Sequence, residues 1–246
     1  MDQKIIDAVR SYQTVRKSQK NKQAKSGVHD MGSRGAVTGG AQMDAFADLV
    51  SNAIIETGIP STSIFKKTAV ELPGYYRPEK KWDLIVVHNG VLGAVIELKS
   101  QMGPSFGNNF NNRTEEAIGS ATDIWVAFRE KRFGEHMFRP WLGYLFLLED
   151  CEASTSPVSV REPHFEVDEV FKGASYKKRY GIFCERLVLE RVYDASCFLT
   201  TQFSDDAVSV DAPNSNLSFE RFISSLTGQM QVLKRKFEII LHCSHR

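Results

Sequence analysis

Two apolar, β-prone runs joined by an Asn-Gly pair constrain the fold of this chain most. The runs are Trp82–His88 and Val91–Lys99, with Asn89 and Gly90 between them. An Asn-Gly pair between such runs is typical of a tight β-hairpin turn. Because apolar residues are nearly continuous in both runs rather than alternating with polar ones, we expect helices to cover both faces of the sheet.

The segments around this hairpin predict helices and further strands. The apolar spacing indicates helices near residues 2–16, 42–57, 112–134, 176–193 and 218–241, and strands near 63–72, 141–148 and 197–201. In the helix after the hairpin, the residues predicted to point inward are Ile118, Ala121, Trp125 and Phe128. This order of elements favours an α/β fold in which helices flank a mixed β-sheet core.

The domain organisation follows from the composition of the first 40 residues. Residues 16–25 are basic and polar and lack large apolar side chains, and five glycines follow by residue 40. We therefore predict a basic N-terminal arm with a short helix over residues 1–40 and one larger domain over residues 41–246. The arm is either a solvated linker or a segment that orders against phosphates.

The net charge of +1 hides opposed blocks of charge. Residues 1–40 carry eight basic and three acidic residues, whereas residues 149–169 carry one basic and seven acidic residues. A near-neutral total excludes a surface that is basic all over, but it leaves room for a selective nucleic-acid partner.

The cysteines and the hydropathy indicate the compartment. The four cysteines lie far apart without a Cys-x-x-Cys pair, so a disulfide framework or a structural zinc site is not expected. No apolar stretch approaches the roughly 18 residues that a membrane span requires. We therefore expect a soluble cytoplasmic protein.

Three ionisable residues lie within the otherwise apolar hairpin. Asp83 lies near the start of the first run, and Glu97 and Lys99 lie near the end of the second. Neighbouring carboxylates at one end of a sheet repel each other and are stabilised by a divalent cation. A nearby lysine can orient a water molecule for hydrolysis of a phosphodiester. The simpler alternative is a salt bridge between Lys99 and a carboxylate at the sheet edge.

The turn decides whether these side chains meet. A regular two-residue turn at Asn89-Gly90 pairs Asp83 with Ile96, which directs Asp83 away from Glu97. A three-residue loop with Gly90 in the left-handed conformation pairs Asp83 with Val95 and brings both carboxylates to one face. We therefore predict an odd-length loop or a bulge in this hairpin.

The motif resembles that of a known superfamily. Asp83 with Glu97-Leu98-Lys99 is similar to the active site of the PD-(D/E)xK nucleases, although Trp82 stands where these enzymes often have proline. The whole chain more closely resembles the XhoI-type type II restriction endonucleases. The segments that carry this resemblance are 82–86, 94–101 and 111–119, together with the Gly/Asn-rich loop between the last two.

This resemblance implies a mechanism and partners. It implies a restriction-endonuclease-like fold and Mg²⁺-dependent cleavage of both strands of duplex DNA at the palindrome CTCGAG, in a bacterial restriction-modification system without a nucleotide cofactor. Asp83, Glu97 and the Leu98 carbonyl would bind the metal, and Lys99 would position the attacking water. Glu56 is a possible additional carboxylate, or simply an exposed helix residue. A two-fold symmetric target is matched most simply by a homodimer.

DNA contacts are expected from two polar segments. The first is the loop over residues 107–113, because Asn can bond adenine and Arg can bond guanine bidentately; its candidate residues are Asn108, Asn109, Asn111, Asn112 and Arg113. The second is the basic run Lys177, Lys178 and Arg179, which suits a phosphate clamp. An ordinary connector and a solvated helix face are the respective alternatives.

Two other functions remain open from the sequence. One is a structure-specific or repair nuclease of the same superfamily, which would cut according to DNA shape. The other is a DNA-binding protein with a vestigial site, which would hydrolyse no duplex.

Overall fold

The computed structural model describes residues 2–26, 40–135, 138–203 and 207–243. The described helices are α1 (Gln3–Ser26), α2 (Asp44–Glu56), α3 (Phe106–Arg129), α4 (Glu152–Thr155), α5 (Tyr176–Leu189) and α6 (Phe219–Cys243). The described strands are β1 (Ile64–Lys66), β2 (Glu71–Pro73), β3 (Glu79–Lys81), β4 (Leu84–His88), β5 (Val91–Gln101), β6 (Trp141–Glu149), β7 (Ala195–Phe203) and β8 (Val208–Asp211). Within these ranges, no helix combines the length and apolarity needed to cross a membrane.

Six strands form one mixed sheet in the order β1-β4-β5-β6-β7-β8. Strands β5, β6 and β7 run parallel, whereas β1, β4 and β8 pair antiparallel to their neighbours. Strands β2 and β3 form a separate small hairpin. The predicted α/β class, with helices flanking a mixed sheet of the restriction-endonuclease type, is confirmed.

Helices cover both faces of this sheet, as the apolar strands predicted. Helices α1, α2 and α6 pack on what we call the first face, which receives Ile96, Leu145 and Leu199 from the central strands. Helices α3 and α5 pack on the second face, which receives Val95 and Phe146. Alternating side chains of the same strands therefore enter two separate cores.

The single strand predicted near residues 63–72 is wrong. Strand β1 ends at Lys66, and β2 begins in the other sheet at Glu71. Lys67 and Ala69 between them have φ values of 69° and 54°. Such left-handed residues cannot continue a strand, so the chain turns away from the sheet there.

The polar loop predicted before α3 is also wrong, because the helix begins at Phe106. Phe106 is buried and stacks on Tyr176, with 6.0 Å between ring centroids. Phe110, one turn later, packs edge-on against Tyr180 at 5.1 Å. These aromatic contacts hold the asparagine-rich first turns in a helix despite the low intrinsic helix propensity of Asn.

The buried face of α3 differs in part from the predicted one. Ile118 is 43% exposed, so its assignment to the core was wrong. Ala121 is buried as expected, and the buried face also includes Ser120 and Asp123. The helix therefore turns a partly polar stripe toward the protein, which apolar spacing alone does not detect.

The N-terminal helix is longer than predicted. Helix α1 continues to Ser26 through the basic run, and its first half buries Ile5, Val9 and Tyr12 in the first core. The Tyr12 hydroxyl donates to Ser100 Oγ at 3.0 Å, next to Lys99 on β5. The glycine-rich part of the predicted arm, residues 27–39, lies outside the described residues.

A candidate active site at the β4–β5 hairpin

The hairpin combines a tight turn with a bulge. Asn89 and Gly90 form a two-residue turn in which both φ values are positive, 49° and 76°, and His88 pairs with Val91. The register then shifts, because Val87 pairs with Leu92 and Val86 with Ala94, which leaves Gly93 as the extra residue. The prediction of an odd-length loop or a bulge is confirmed in its second form, while the three-residue loop was wrong.

The bulged residue Gly93 packs against helix α6. A Cβ atom at this position would lie 2.5 Å from Leu233 Cδ2, so a larger residue would require the Leu233 side chain to shift. Beyond the bulge, Ile85 pairs with Val95 and Leu84 with Ile96. Extending this register by one residue places Asp83 opposite Glu97, on the same face of the sheet.

The three predicted catalytic residues lie together. Lys99 Nζ is 2.7 Å from Glu97 Oε1 and 3.7 Å from Asp83 Oδ2. Asp83 Oδ2 also accepts a hydrogen bond of 2.8 Å from the Leu98 amide, which fixes the carboxylate against β5. The Glu97 carboxylate is almost fully buried, whereas Asp83 is 40% exposed. One carboxylate is therefore held inside the protein and the other is open to a ligand.

The cations at this site control its ionisation. Burial acts to raise the pKa of Glu97, but Lys99 and Lys80 outweigh it and lower the pKa below the ordinary value for glutamate. Burial likewise acts to lower the pKa of Lys99, but Glu97 and Asp83 raise it above the ordinary value for lysine. At neutral pH, the Glu97 carboxylate is thus charged beside a protonated Lys99.

Lys80 is a site residue that the sequence analysis missed. Its Nζ lies 3.1 Å from Glu97 Oε1 and 4.4 Å from the centroid of the Trp82 ring. It lies on β3, whose sequence Glu-Lys-Lys is fully charged. A charged triplet gives no hydropathy signal for a strand, so nothing in the pattern predicted that this lysine would reach the catalytic carboxylate.

Two clefts open at these residues. One, of about 360 Å³, is lined by Glu97 and Lys99 together with the cationic side chains of Arg77, Lys80 and Arg113, and the acidic side chains of Glu115 and Glu116 also line it. The other, of about 310 Å³, is lined by Asp83, Leu98 and Asp44 among others. A cation-rich cleft beside two carboxylates is suited to hold a phosphodiester.

The oxygen donors present suit a magnesium ion. Glu97 Oε2 is buried without a hydrogen-bond partner among the described residues, and Asp83 is partly open to solvent. In the part of the chain that the structure describes, no three His, Cys, Asp or Glu side chains form a complete metal cage. Magnesium is typically bound by one or two carboxylates, with water and substrate phosphate completing its shell, so this donor set fits.

Glu56 does not lie in these clefts. It is exposed at the last residue of α2, whereas Asp44, at the first residue of the same helix, lines the Asp83 cleft. Twelve residues of α-helix separate them by about 18 Å. Asp44 forms an ion pair of 2.7 Å with Lys67, and the carboxylate that α2 contributes near Asp83 is therefore Asp44.

The predicted DNA-contacting asparagines lie on the first two turns of α3 rather than in a loop. Asn108, Asn111 and Asn112 are exposed, and Asn109 is half-buried. Arg113 points into the catalytic cleft and donates to Glu116 at 2.6 Å. The helix thus presents exposed amide side chains on the turns before Arg113, which itself lines the cleft.

The basic run on α5 is mostly engaged with the protein itself. Lys177 forms an ion pair of 2.8 Å with Asp150. Arg179 donates to the carbonyl oxygens of Ala174 and Val158, each at 3.0 Å. Lys178 is exposed, and of the three it is the side chain most available to a phosphate.

Comparison with known proteins identifies the relatives of this chain. The family model of the restriction endonuclease XhoI matches residues 22–210. The type II restriction enzyme BstVI of Geobacillus stearothermophilus is 52% identical over 212 residues, which cover 84% of this chain and 93% of that protein. No solved structure matches the chain significantly.

Two further relatives are also named type II restriction enzymes. The type II restriction enzyme XhoI of Xanthomonas vasicola is 47% identical over 161 residues, covering 65% of this chain and 64% of that protein. The type II restriction enzyme AbrI of Azospirillum brasilense is 44% identical over 165 residues, which cover 67% of this chain and 73% of that protein.

The enzyme class predicted from the sequence, a type II site-specific deoxyribonuclease, is confirmed at the level of the family. The chain belongs to the XhoI restriction endonuclease family.

Proposed function

We propose that this protein makes Mg²⁺-dependent double-strand cuts in duplex DNA at CTCGAG, as the endonuclease of a restriction-modification system in the bacterial cytoplasm. The observation that carries the proposal is the convergence of Asp83, Glu97 and Lys99 beside a cation-rich cleft. The target sequence is supported by the family resemblance, including the relative named XhoI.

Asp83, Glu97 and the Leu98 carbonyl are the groups proposed to hold magnesium. Bound there, the ion would stabilise the negative charge that develops on the scissile phosphate. The chain's own part is to fix the donors in place. The Leu98 amide orients Asp83, and the register of β4 on β5 sets the separation between the two carboxylates.

Lys99 acts in this proposal as a fixed positive charge. Glu97 and Asp83 raise its pKa above the ordinary value for lysine and so favour the ammonium form, which can donate hydrogen bonds. Held between Glu97 and Asp83, it would orient the attacking water and neutralise charge at the phosphate. Lys80 and Arg113, which line the same cleft, would hold the neighbouring phosphates of the strand.

Recognition and symmetry complete the proposal. Asn108, Asn109, Asn111 and Asn112, next to Arg113, are proposed to read base edges from α3, while Lys177, Lys178 and Arg179 are proposed to contact the DNA backbone, chiefly through Lys178. A homodimer would place one active site on each strand of the two-fold symmetric target.

The test is to incubate plasmid DNA with the purified protein and Mg²⁺ and to sequence the ends that form. We expect discrete fragments whose ends all fall within CTCGAG, and no cutting when EDTA replaces the metal. The Asp83→Ala variant is the matched control, which should bind the site duplex without cutting it. Ends with no common sequence would indicate a shape-directed nuclease, and the absence of hydrolysis would indicate a vestigial site.

A further inference from the structure

We propose that Tyr75 and Tyr76 form a preorganised aromatic contact for the target duplex at the rim of the catalytic cleft. The inference rests on the proposed function, because it assumes that a DNA strand occupies that cleft. The two tyrosines lie in the connection between β2 and β3. No side chain of this connection was among the residues predicted from the sequence to contact DNA.

A buried carboxylate fixes the backbone of this connection. Asp123 on α3 is 4% exposed, and its Oδ1 accepts hydrogen bonds of 2.8 Å from the backbone amides of both Tyr75 and Tyr76. Its Oδ2 accepts a third, of 2.6 Å, from Arg77 Nε. Three charge-assisted hydrogen bonds to one buried group hold the loop in a defined shape.

Close packing at Gly74 fixes the loop further. Its amide donates to the Pro78 carbonyl at 3.3 Å, which closes the turn. A Cβ atom on Gly74 would lie 2.6 Å from Asp123 Oδ2 and 2.7 Å from the Arg77 carbonyl oxygen. Only glycine allows the chain to approach its anchor so closely, so the loop is built for one conformation rather than for flexibility.

This rigid loop displays two large aromatic side chains to solvent. Tyr75 is 47% exposed and Tyr76 is 71% exposed, and their rings meet edge to face with centroids 5.0 Å apart. Exposed neighbouring aromatic residues on a fixed backbone are a mark of binding surfaces, because they bury much area and lose little conformational entropy. Neither ring is needed to cover the core.

The charge beside the loop favours DNA as the occupant. Arg77, the next residue, lines the same cleft as Glu97 and Lys99. Lys80 and Arg113 add two further cations to that cleft, so that with Lys99 its four cations outnumber Glu97, Glu115 and Glu116. A strand whose phosphate lies at Lys99 therefore occupies the cleft that Arg77, the residue after the two tyrosines, also lines. Tyrosine rings can stack on bases or sugars, and their hydroxyls can donate to phosphate oxygens.

The test compares the double variant Tyr75→Ala/Tyr76→Ala with Phe165→Ala, a matched control that removes an aromatic ring 88% exposed elsewhere. The affinity for a CTCGAG duplex is measured without added metal, and kcat/KM is measured with Mg²⁺. We expect the double variant to lose about 10- to 100-fold in both. The control should retain both, and the melting temperatures of all three proteins should agree.

Two further measurements identify the contact directly. The variant Tyr75→Phe/Tyr76→Phe keeps the rings, so we expect it to retain most of the affinity. A duplex carrying 5-iodouracil in place of each thymine in turn, within and beside the site, should photocrosslink to Tyr75 or Tyr76 in the wild-type protein. Peptide mass spectrometry then identifies the crosslinked residue.

The outcomes separate this inference from the proposed function. If the wild-type protein cuts the site and the alanine variant binds and cuts equally well, the tyrosine contact is wrong and the nuclease stands. If the wild-type protein binds but does not cut, the nuclease proposal fails, while affinity and crosslinking still decide the contact. If the wild-type protein does not bind the duplex, the contact is wrong. If the alanine variant loses self-association but keeps its DNA affinity, the loop is a protein interface and the inference is overturned.

Discussion

The two faces of the central sheet differ in the side chains that pack on them. The first face is covered by α1, α2 and α6, and its core is mainly aliphatic, as in the contacts of Leu226, Met230 and Leu233, with Tyr12 as its one buried tyrosine among the described residues. The second face is covered by α3 and α5, and its core holds several buried tyrosines beside the Glu97 carboxylate. The site residues belong to the second face.

Unsatisfied polar atoms follow the same division. Among the described residues, the buried side-chain oxygens without a hydrogen-bond partner belong to Glu97, Tyr144, Tyr180, Ser196 and Thr200. The alternation of the strands and the core contacts place all five on the second face. Pairing across β5, β6 and β7 aligns three of them in one row, Glu97, Tyr144 and Ser196. An unpaired buried polar group costs about 1–3 kcal/mol.

This contrast separates stability from chemistry. The first face contributes stability through close apolar packing, and its helix α6 packs against Gly93 at the bulge that aligns Asp83 with Glu97. The second face contributes less stability, because it holds ionised and unpaired polar groups inside the protein. Substitution of apolar side chains on the first face should therefore lower stability, whereas substitution of the site residues on the second face should lower cleavage.

The largest effect on stability is expected from Leu226→Ala. Leu226 is fully buried on the first face, and deleting such a side chain typically costs about 2–5 kcal/mol through lost burial and the cavity left behind. Urea unfolding should show this loss, while cleavage per folded molecule stays unchanged well below the melting temperature. Val232→Ala, on the exposed side of the same helix, is the control and should change stability little. Loss of cleavage without loss of stability would contradict the division.

A smaller loss is expected from Asp123→Asn, about 1–3 kcal/mol. The amide keeps an acceptor for the backbone of Tyr75 and Tyr76, but it loses the charge that pairs with Arg77. Urea unfolding measures the difference, with Asp7→Asn at the surface as the control. A variant as stable as the wild-type protein would show that the carboxylate is not the anchor of the loop.

This loss should depend on pH. Burial acts to raise the pKa of Asp123, but the amides of Tyr76 and Tyr75 and the Arg77 side chain lower it below its ordinary value of 3.8. A lowered folded-state pKa gives stability that is present above the unfolded-state pKa and is lost as the pH falls through the folded-state pKa. The difference between the wild-type and Asp123→Asn proteins should therefore shrink below about pH 4. A difference that stays constant down to pH 2 would contradict this.

The smallest effect is expected from Tyr144→Phe, less than about 1 kcal/mol in either direction. The Tyr144 hydroxyl is buried without a partner, so removing it deletes no protein hydrogen bond. Tyr193→Phe is the matched comparison, because the Tyr193 hydroxyl donates to the Ala117 carbonyl at 3.1 Å, and its loss should cost about 1 kcal/mol or more. A larger loss at Tyr144 than at Tyr193 would reverse this interpretation.

Local sequence determined much of this structure and tertiary packing determined the rest. The apolar hairpin, β6 and α6 were predictable because their patterns are long and continuous. The requirement that Asp83 and Glu97 share a face predicted a bulge or an odd loop, but it did not predict that the bulged residue is Gly93, which packs against Leu233. Such a contact joins parts of the chain 140 residues apart.

Other features gave no usable local signal. Helix α3 begins before the predicted residue 112, because Phe106 and Phe110 pack on aromatic residues of α5. The polar sequence of its first turns is, by itself, typical of a loop. Lys80 lies on a strand too charged and too short for hydropathy to detect. Asp123 had a weak signal, since it shares the spacing of the buried residues Ser120 and Ala127, but a carboxylate there is ordinarily read as exposed.

The role of Lys99 in cleavage is tested by comparing Lys99→Ala with Lys172→Ala. Both lysines pair with two carboxylates, but Lys172 lies on the surface with Glu162 and Glu169, away from the catalytic clefts. The measurement is the rate at which each variant converts supercoiled plasmid to linear DNA in Mg²⁺. We expect Lys99→Ala to slow the conversion about 10³-fold and Lys172→Ala to match the wild-type protein. Equal rates for Lys99→Ala and the wild-type protein would contradict the assignment of this site.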